Sequence, residues 1–250
     1  MSPDCSSSNT GESSLSSLGF CFSLIVINDS ALNVRLDLPR IYPITDTRLS
    51  RLSHAEQVAR LIEGGASLIQ LRDKFSAPRE FYRDAAVALQ IARAHGAKLI
   101  INDRVDIALA LKADGVHLGQ TDIPAAAARR LLGKEAIIGF STHNPEQAKL
   151  ATAFPVDYLA FGPIFPTSTK ENPDPVTGLG GLAAVATIKG PLPLVAIGGI
   201  TLERAPTVFK AGADSVAVIA DLVADPTTIA ENMSEMISLT HAVPNASSRS

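Results

Sequence analysis

Hydrophobic positions gather along this chain in short β-rich runs: IYPIT (41–45), ASLIQLR (66–72), KLIIND (98–103), GVHLG (115–119), AIIGF (136–140), DYLAFG (157–162), PLVAIGG (193–199) and SVAVIA (215–220). Between them lie segments with the apolar spacing of helices, among them 54–63, 78–95, 122–132 and 145–153. Strand-length runs alternating with helical ones predict parallel strands joined by helical crossovers. Two architectures share that pattern. An open doubly wound sheet is one, but eight runs and no dinucleotide-type glycine fingerprint favour the other, an α/β closed (β/α)8 TIM barrel of the phosphate-binding type. In such a barrel the chemistry lies at the C-terminal ends of the strands, so the residues that follow each run are the candidates.

Residues 1–36 depart from the pattern. They are Ser-rich and are expected to form a disordered tail, or to reflect a start codon placed too early, with 20–27 as a short strand or barrel plug. Residues 37–241 are expected to be one barrel domain and 242–250 a disordered tail. The 250 residues, 46% hydrophobic, suffice for the core of one such barrel.

Charge narrows the partners. A net charge of −3 argues against general binding to nucleic acid or to a membrane surface, both of which need a basic face. No apolar run approaches the roughly 20 residues needed to cross a bilayer. The first basic residue is Arg35, which argues against a secretory signal. The two cysteines, Cys5 and Cys21, precede the first run and offer neither a disulfide framework nor metal spacing, so a cytoplasmic location is expected. A homo-oligomer is compatible with all of this.

The second run ends Gln70-Leu71-Arg72-Asp73-Lys74, and strand alternation puts Gln70, Arg72 and Lys74 on one face. Two cations together repel by roughly 1 to 4 kcal/mol, which an anionic ligand would reverse. Pairing with Asp73 or Glu80 is the alternative. Asp103 ends the third run and Asp122 follows the fourth; together they suit Mg²⁺, which takes few protein oxygens, and singly each suits a helix N-cap. The long stretch from Gly162 through Thr167, Thr169 and Lys170 reads as a binding loop or a plain surface connection. Gly198-Gly199 and the end of the eighth run fall where barrels of this type bind phosphate, although a glycine pair also suits a tight turn. His54, His95 and His241 are expected on the surface, His117 as a packed strand residue, His143 near the mouth and Asn144 as a helix cap. No Ser-His-Asp or Cys-His constellation is present.

These motifs resemble the thiamine phosphate synthase family from about Tyr42 to Leu222. The specific pieces are Gln70-x-Arg72-x-Lys74, Asn102-Asp103, His117-x-Gly119-Gln120-x-Asp122, and Gly162-Pro163-Ile164-Phe165-Pro166-Thr167-x-Thr169-Lys170. The resemblance implies transfer of an aminopyrimidine methyl group from its diphosphate to a thiazole phosphate, with small heterocyclic phosphates as the partners. It assigns Gln70, Asn102, Ser141, Arg72, Lys74 and Lys170 to the pyrimidine diphosphate, with Arg72, Lys74 and Lys170 carrying the chemical step. Asp103 and Asp122 are assigned to Mg²⁺, and Thr167, Thr169, Gly199, Ile219 and Ala220 to the thiazole phosphate. Relatives often have Ser where this chain has Ala220, and Asp221 adds a carboxylate there, so a weaker thiazole-phosphate contact is expected. The rival readings are a thiazole tautomerase using His143, a non-catalytic binding barrel, and an unrelated phosphate-barrel isomerase. The first two lack support in the motifs, and the last leaves Arg72, Lys74 and the long loop unexplained.

Overall fold

A computed structural model describes residues 36, 38–167, 169 and 174–241. Leu36–Ser250 forms one compact unit. Of the tail expected at 1–36, residues 1–35 lie outside the described residues, whereas Leu36 packs against the apolar residues of the barrel interior; the expectations for 242–250 and Lys170 also lie outside them.

Eight parallel strands close on themselves in sequence order, β8 pairing with β1. They are β1 (Ile41–Thr45), β2 (Leu68–Leu71), β3 (Lys98–Asn102), β4 (Gly115–Leu118), β5 (Ile137–Thr142), β6 (Tyr158–Phe161), β7 (Leu194–Ile197) and β8 (Ser215–Val218). The helices are α1 (Thr47–Ser50), α2 (His54–Glu63), α3 (Pro78–Ala94), α4 (Val105–Leu111), α5 (Ala125–Leu132), α6 (Pro145–Ala151), α7 (Gly178–Ile188), α8 (Ala205–Lys210), α9 (Ala220–Val223) and α10 (Ile229–His241). The open-sheet alternative is thereby set aside. No helix among the described residues is long and apolar enough to cross a membrane.

The period-2 alternation divides the apolar residues into two cores. One set, including Ile69, Leu71, Leu99, Ile101, Val116 and Leu118, packs outward against the helices. The other, including Tyr42, Ile44, Leu68, Ile100, Tyr158 and Val195, fills the barrel interior. Polar residues on inward positions near the C-terminal ends, such as Gln70, Asn102 and His117, therefore cannot reach bulk water from below and form the floor of the mouth.

Several helix starts follow local signals. Ser53 and Glu56 form a capping box at α2, and Asn144 caps α6 by accepting from the Gln147 N–H at 2.8 Å. The helix expected from Asp122 starts only at Ala125. Pro124 disfavours the helical conformation for Ile123, and the Asp122 carboxylate turns back to accept from the Gly119 N–H at 2.7 Å. Asp103 caps no helix either; α4 starts after Arg104. The expectation of a surface His54 also fails, since the residue is 1% exposed. It sits at the first turn of α2, facing the barrel, where its ring meets Thr45 Oγ1 at 2.6 Å and Asp73 Oδ2 at 3.3 Å. His95 is exposed as expected. His241 ends α10, and its side chain is outside the described set.

Candidate active site

A cavity of about 660 Å³ opens at the C-terminal end of the barrel, and every described residue picked out above as a site candidate lines it. The strand ends bring them there. Arg72 and Lys74 follow β2, Asp103 follows β3, Asp122 lies in the loop after β4, and Ser141 is on β5. Their neighbours differ from the simple pairing considered above. Lys74 Nζ bonds Asp103 Oδ2, while Arg72 Nη1 lies 3.6 Å from Asp46 Oδ2. Asp73 points away from the cavity and accepts the Phe75 and Ser76 N–H groups at 2.8 Å, which holds the turn that carries both cations. The His54 ring first, and then those N–H groups, keep Asp73 below the usual carboxylate range.

Asp103 adopts a left-handed backbone (φ 60) and its N–H is bound by the His117 carbonyl at 2.8 Å. That places its carboxylate against Asp122. Burial, and next the Asp103 carboxylate, push the Asp122 carboxyl above its ordinary range, although the Gly119 N–H opposes the shift. Two adjoining carboxylates that resist joint ionisation fit a hard divalent cation, which accepts one or two protein carboxylates and takes its other oxygens from water and phosphate. Among the described residues no larger cluster of His, Cys, Asp or Glu suited to a metal is present.

On the opposite side, the loop after β6 is tied to the end of β7: the Ile164 N–H donates to the Ile197 carbonyl at 2.9 Å and the Phe165 N–H to the Gly198 carbonyl at 3.0 Å. This close approach explains the glycine pair. Both glycines have positive φ, and a Cβ on Gly199 would lie 2.4 Å from the Pro166 carbonyl oxygen. Thr167 and Thr169 share a hydrogen bond of 3.0 Å at the rim. Ile219 and Ala220 line the wall at the start of α9, and the Asp221 carboxylate is engaged by the Leu202 N–H at 2.8 Å.

Further groups stand in or beside the same cavity. Asp46, outside the lining itself but 3.6 Å from Arg72, directly follows β1, so its strand-end position marks it. His117 is packed as expected, yet its ring also lines the cavity and meets Ser141 Oγ at 2.8 Å; the inward parity of β4 was the available signal. Burial pushes its pKa down to about 4, so the imidazole is neutral near pH 7. His143 Nδ1 donates to the Gly162 carbonyl at 2.7 Å. Asp174 and Arg204 complete the rim, and no local sequence signal marked them.

The sequence profile described as thiamine monophosphate synthase matches residues 41–222. A thiamine-phosphate synthase from Koribacter versatilis is 45% identical over 214 residues, covering 83% of this chain and 98% of the relative. One from Chloroflexus aurantiacus is 43% identical, covering 80% and 94%. The solved structure of a thiamine phosphate pyrophosphorylase from Pyrococcus furiosus superposes with a TM-score of 0.75 at 36% identity, covering 84% of this chain and 99% of that one.

Proposed function

Because the chain belongs to the thiamine monophosphate synthase family, we propose that its mouth cavity is where a pyrimidine diphosphate and a thiazole phosphate are joined. The enzyme is a transferase that condenses the two heterocycles to thiamine phosphate and releases pyrophosphate. The observation that carries the residue assignment is the meeting, in one cavity, of two cations from the end of β2 with a carboxylate pair from the ends of β3 and β4.

On this reading Gln70, Asn102 and Ser141 hold the pyrimidine, while Arg72 and Lys74 face its diphosphate, a role the family motif extends to Lys170. Thr167, Thr169, Gly199 and the Ile219–Ala220 backbone receive the thiazole phosphate. Asp103 and Asp122 would hold Mg²⁺, which when bound supplies positive charge to the diphosphate oxygens. The bond from the exocyclic CH₂ carbon to the diphosphate oxygen breaks, and its electron pair leaves with pyrophosphate. The lone pair of the thiazole nitrogen forms the new C–N bond, leaving that ring cationic. No proton is lost, so no side chain has to act as a general base. Arg72 and Lys74 contribute fixed charge that counts most as negative charge gathers on the leaving group. A cytoplasmic setting belongs to the same proposal, supported by Cys5 and Cys21 lying ahead of the barrel with no disulfide spacing.

The test is incubation of the purified protein with both heterocycles and Mg²⁺. Equimolar thiamine phosphate and pyrophosphate are expected. Conversion of the thiazole phosphate alone, without pyrophosphate, would refute the proposal.

A further inference from the structure

Both substrates carry phosphate, yet the motifs place every cation they name at the diphosphate. The thiazole phosphate is left with the hydroxyls of Thr167 and Thr169 and the backbone of Gly199, Ile219 and Ala220. Ala220 brings no hydroxyl, and Asp221 beside it adds a carboxylate to the same wall, which repels a phosphate dianion. Neutral donors alone would have to offset that repulsion.

A cationic side chain on this wall has no role so far. Among the described residues, the arginines and lysines that line the cavity are Arg72, Lys74 and Arg204. Arg72 has Asp46 as its partner and Lys74 has Asp103. Arg204 pairs with no carboxylate among the described residues. Its Nη1 donates to the Gly199 carbonyl at 2.7 Å, and its guanidinium carbon lies 4.8 Å from the centroid of the Phe165 ring. The Phe165 N–H is in turn bound to the Gly198 carbonyl at 3.0 Å. The guanidinium is therefore held against the glycine turn itself, and one carbonyl engages only one of its several N–H donors.

Local structure gives Arg204 no other task. It occupies the N-cap of α8, where Ser, Thr, Asp or Asn would accept a hydrogen bond from the first-turn N–H groups. Arginine has no acceptor atom to offer, and no side-chain cap is formed. A residue that the local rules disfavour, standing at the wall of a ligand cavity, points to the ligand.

We propose that Arg204 is the cation that binds the phosphate of the thiazole substrate, which makes it a specificity-determining residue for the phosphorylated acceptor over the corresponding alcohol. The inference rests on the reading of this end of the cavity as the thiazole-phosphate site. Arginine suits the task because its planar fork can give two parallel charge-assisted hydrogen bonds to phosphate oxygens. Phe165 and Gly199 restrict its rotamers beforehand, so less entropy is lost when the phosphate arrives.

Steady-state kinetics of Arg204→Asn separates this role from a structural one. Asn is the better N-cap, so the unfolding midpoint should hold or rise. KM for the thiazole phosphate should rise about tenfold or more, the size of one lost charge-assisted contact, while KM for the pyrimidine diphosphate stays within about twofold. Preference for the thiazole phosphate over the thiazole alcohol, taken as the ratio of kcat/KM, should fall by the same factor, and Arg204→Lys should restore part of it. An unchanged preference in Arg204→Asn would overturn the assignment. So would an equal loss toward phosphate and alcohol, which would place Arg204 on the ring and not on the phosphate. A wild type that uses the alcohol as readily as the phosphate would instead refute the reading of this cavity end as a phosphate site, and the role of Arg204 would fall with it.

Discussion

Replacing His54 by Ala removes a side chain that is 1% exposed and packed beside the Phe81 ring at 5.3 Å. The change forfeits the contacts to Thr45 Oγ1 at 2.6 Å and to Asp73 Oδ2 at 3.3 Å. It also leaves the Asp73 carboxylate, 3% exposed, without its imidazole partner and supported by Ser76 and the Phe75 N–H. A void of this kind, two lost hydrogen bonds and a partly orphaned carboxylate together cost roughly 4 kcal/mol. For a urea slope of about 3 kcal/mol per molar, the unfolding midpoint drops by more than about 1 M. Activity should fall as well, because Asp73 anchors the turn that presents Arg72 and Lys74. Urea denaturation followed by circular dichroism, with His95→Ala as an exposed control expected within about 0.5 kcal/mol, measures the difference. A loss below about 1 kcal/mol for His54→Ala would show that the buried network does not support the fold.

Three further outcomes are expected. Asp103→Asn and Asp122→Asn each raise the Mg²⁺ concentration needed for half-maximal activity; parental titration curves in both variants would remove these carboxylates from the metal assignment. Arg72→Met slows single-turnover pyrophosphate release by about 10²-fold or more, whereas His143→Asn costs less than about tenfold; rapid-quench measurements showing the reverse order would favour proton-transfer chemistry. Acid should destabilise the protein in two stages. Between about pH 6.5 and 4 the unfolded chain binds a proton at His117 that the folded protein refuses, so this group alone removes roughly 3 kcal/mol across that window, a loss that the raised Asp122 carboxyl offsets in part by taking up its proton first in the folded state. Below about pH 4 the depressed Asp73 carboxyl adds a second loss as the unfolded state takes up its proton first. A pH profile of the unfolding midpoint that His117→Gln leaves unchanged between 6.5 and 4 contradicts the burial argument.

The strand runs, their number and the residues that end them were legible in the sequence because each depends on local periodicity. Alternation in ASLIQLR separates Gln70 from Leu71 whatever surrounds them, and Asn144 before Pro145 signals a helix start by itself. Strand-end position was likewise enough to mark Arg72, Lys74, Asp103 and Asp122 as neighbours at the mouth. Direction and partnership were not local. His54 has the spacing of a surface helix residue, and only the packing of α2 on the ends of β1 and β2 buries it between Thr45 and Asp73. Arg72 and Lys74 adjoin Asp73 in the chain, yet closure of the barrel gives them Asp46 and Asp103 instead. Hydrogen bonds link Gln70 to Tyr42, Tyr42 to Tyr158, Tyr158 to His117 and His117 to Ser141, joining β2, β1, β6, β4 and β5 through residues as far as 116 positions apart. No periodicity within one segment encodes such a chain, because each link depends on which strands become neighbours, on their register, and on the space that Gly139 leaves open.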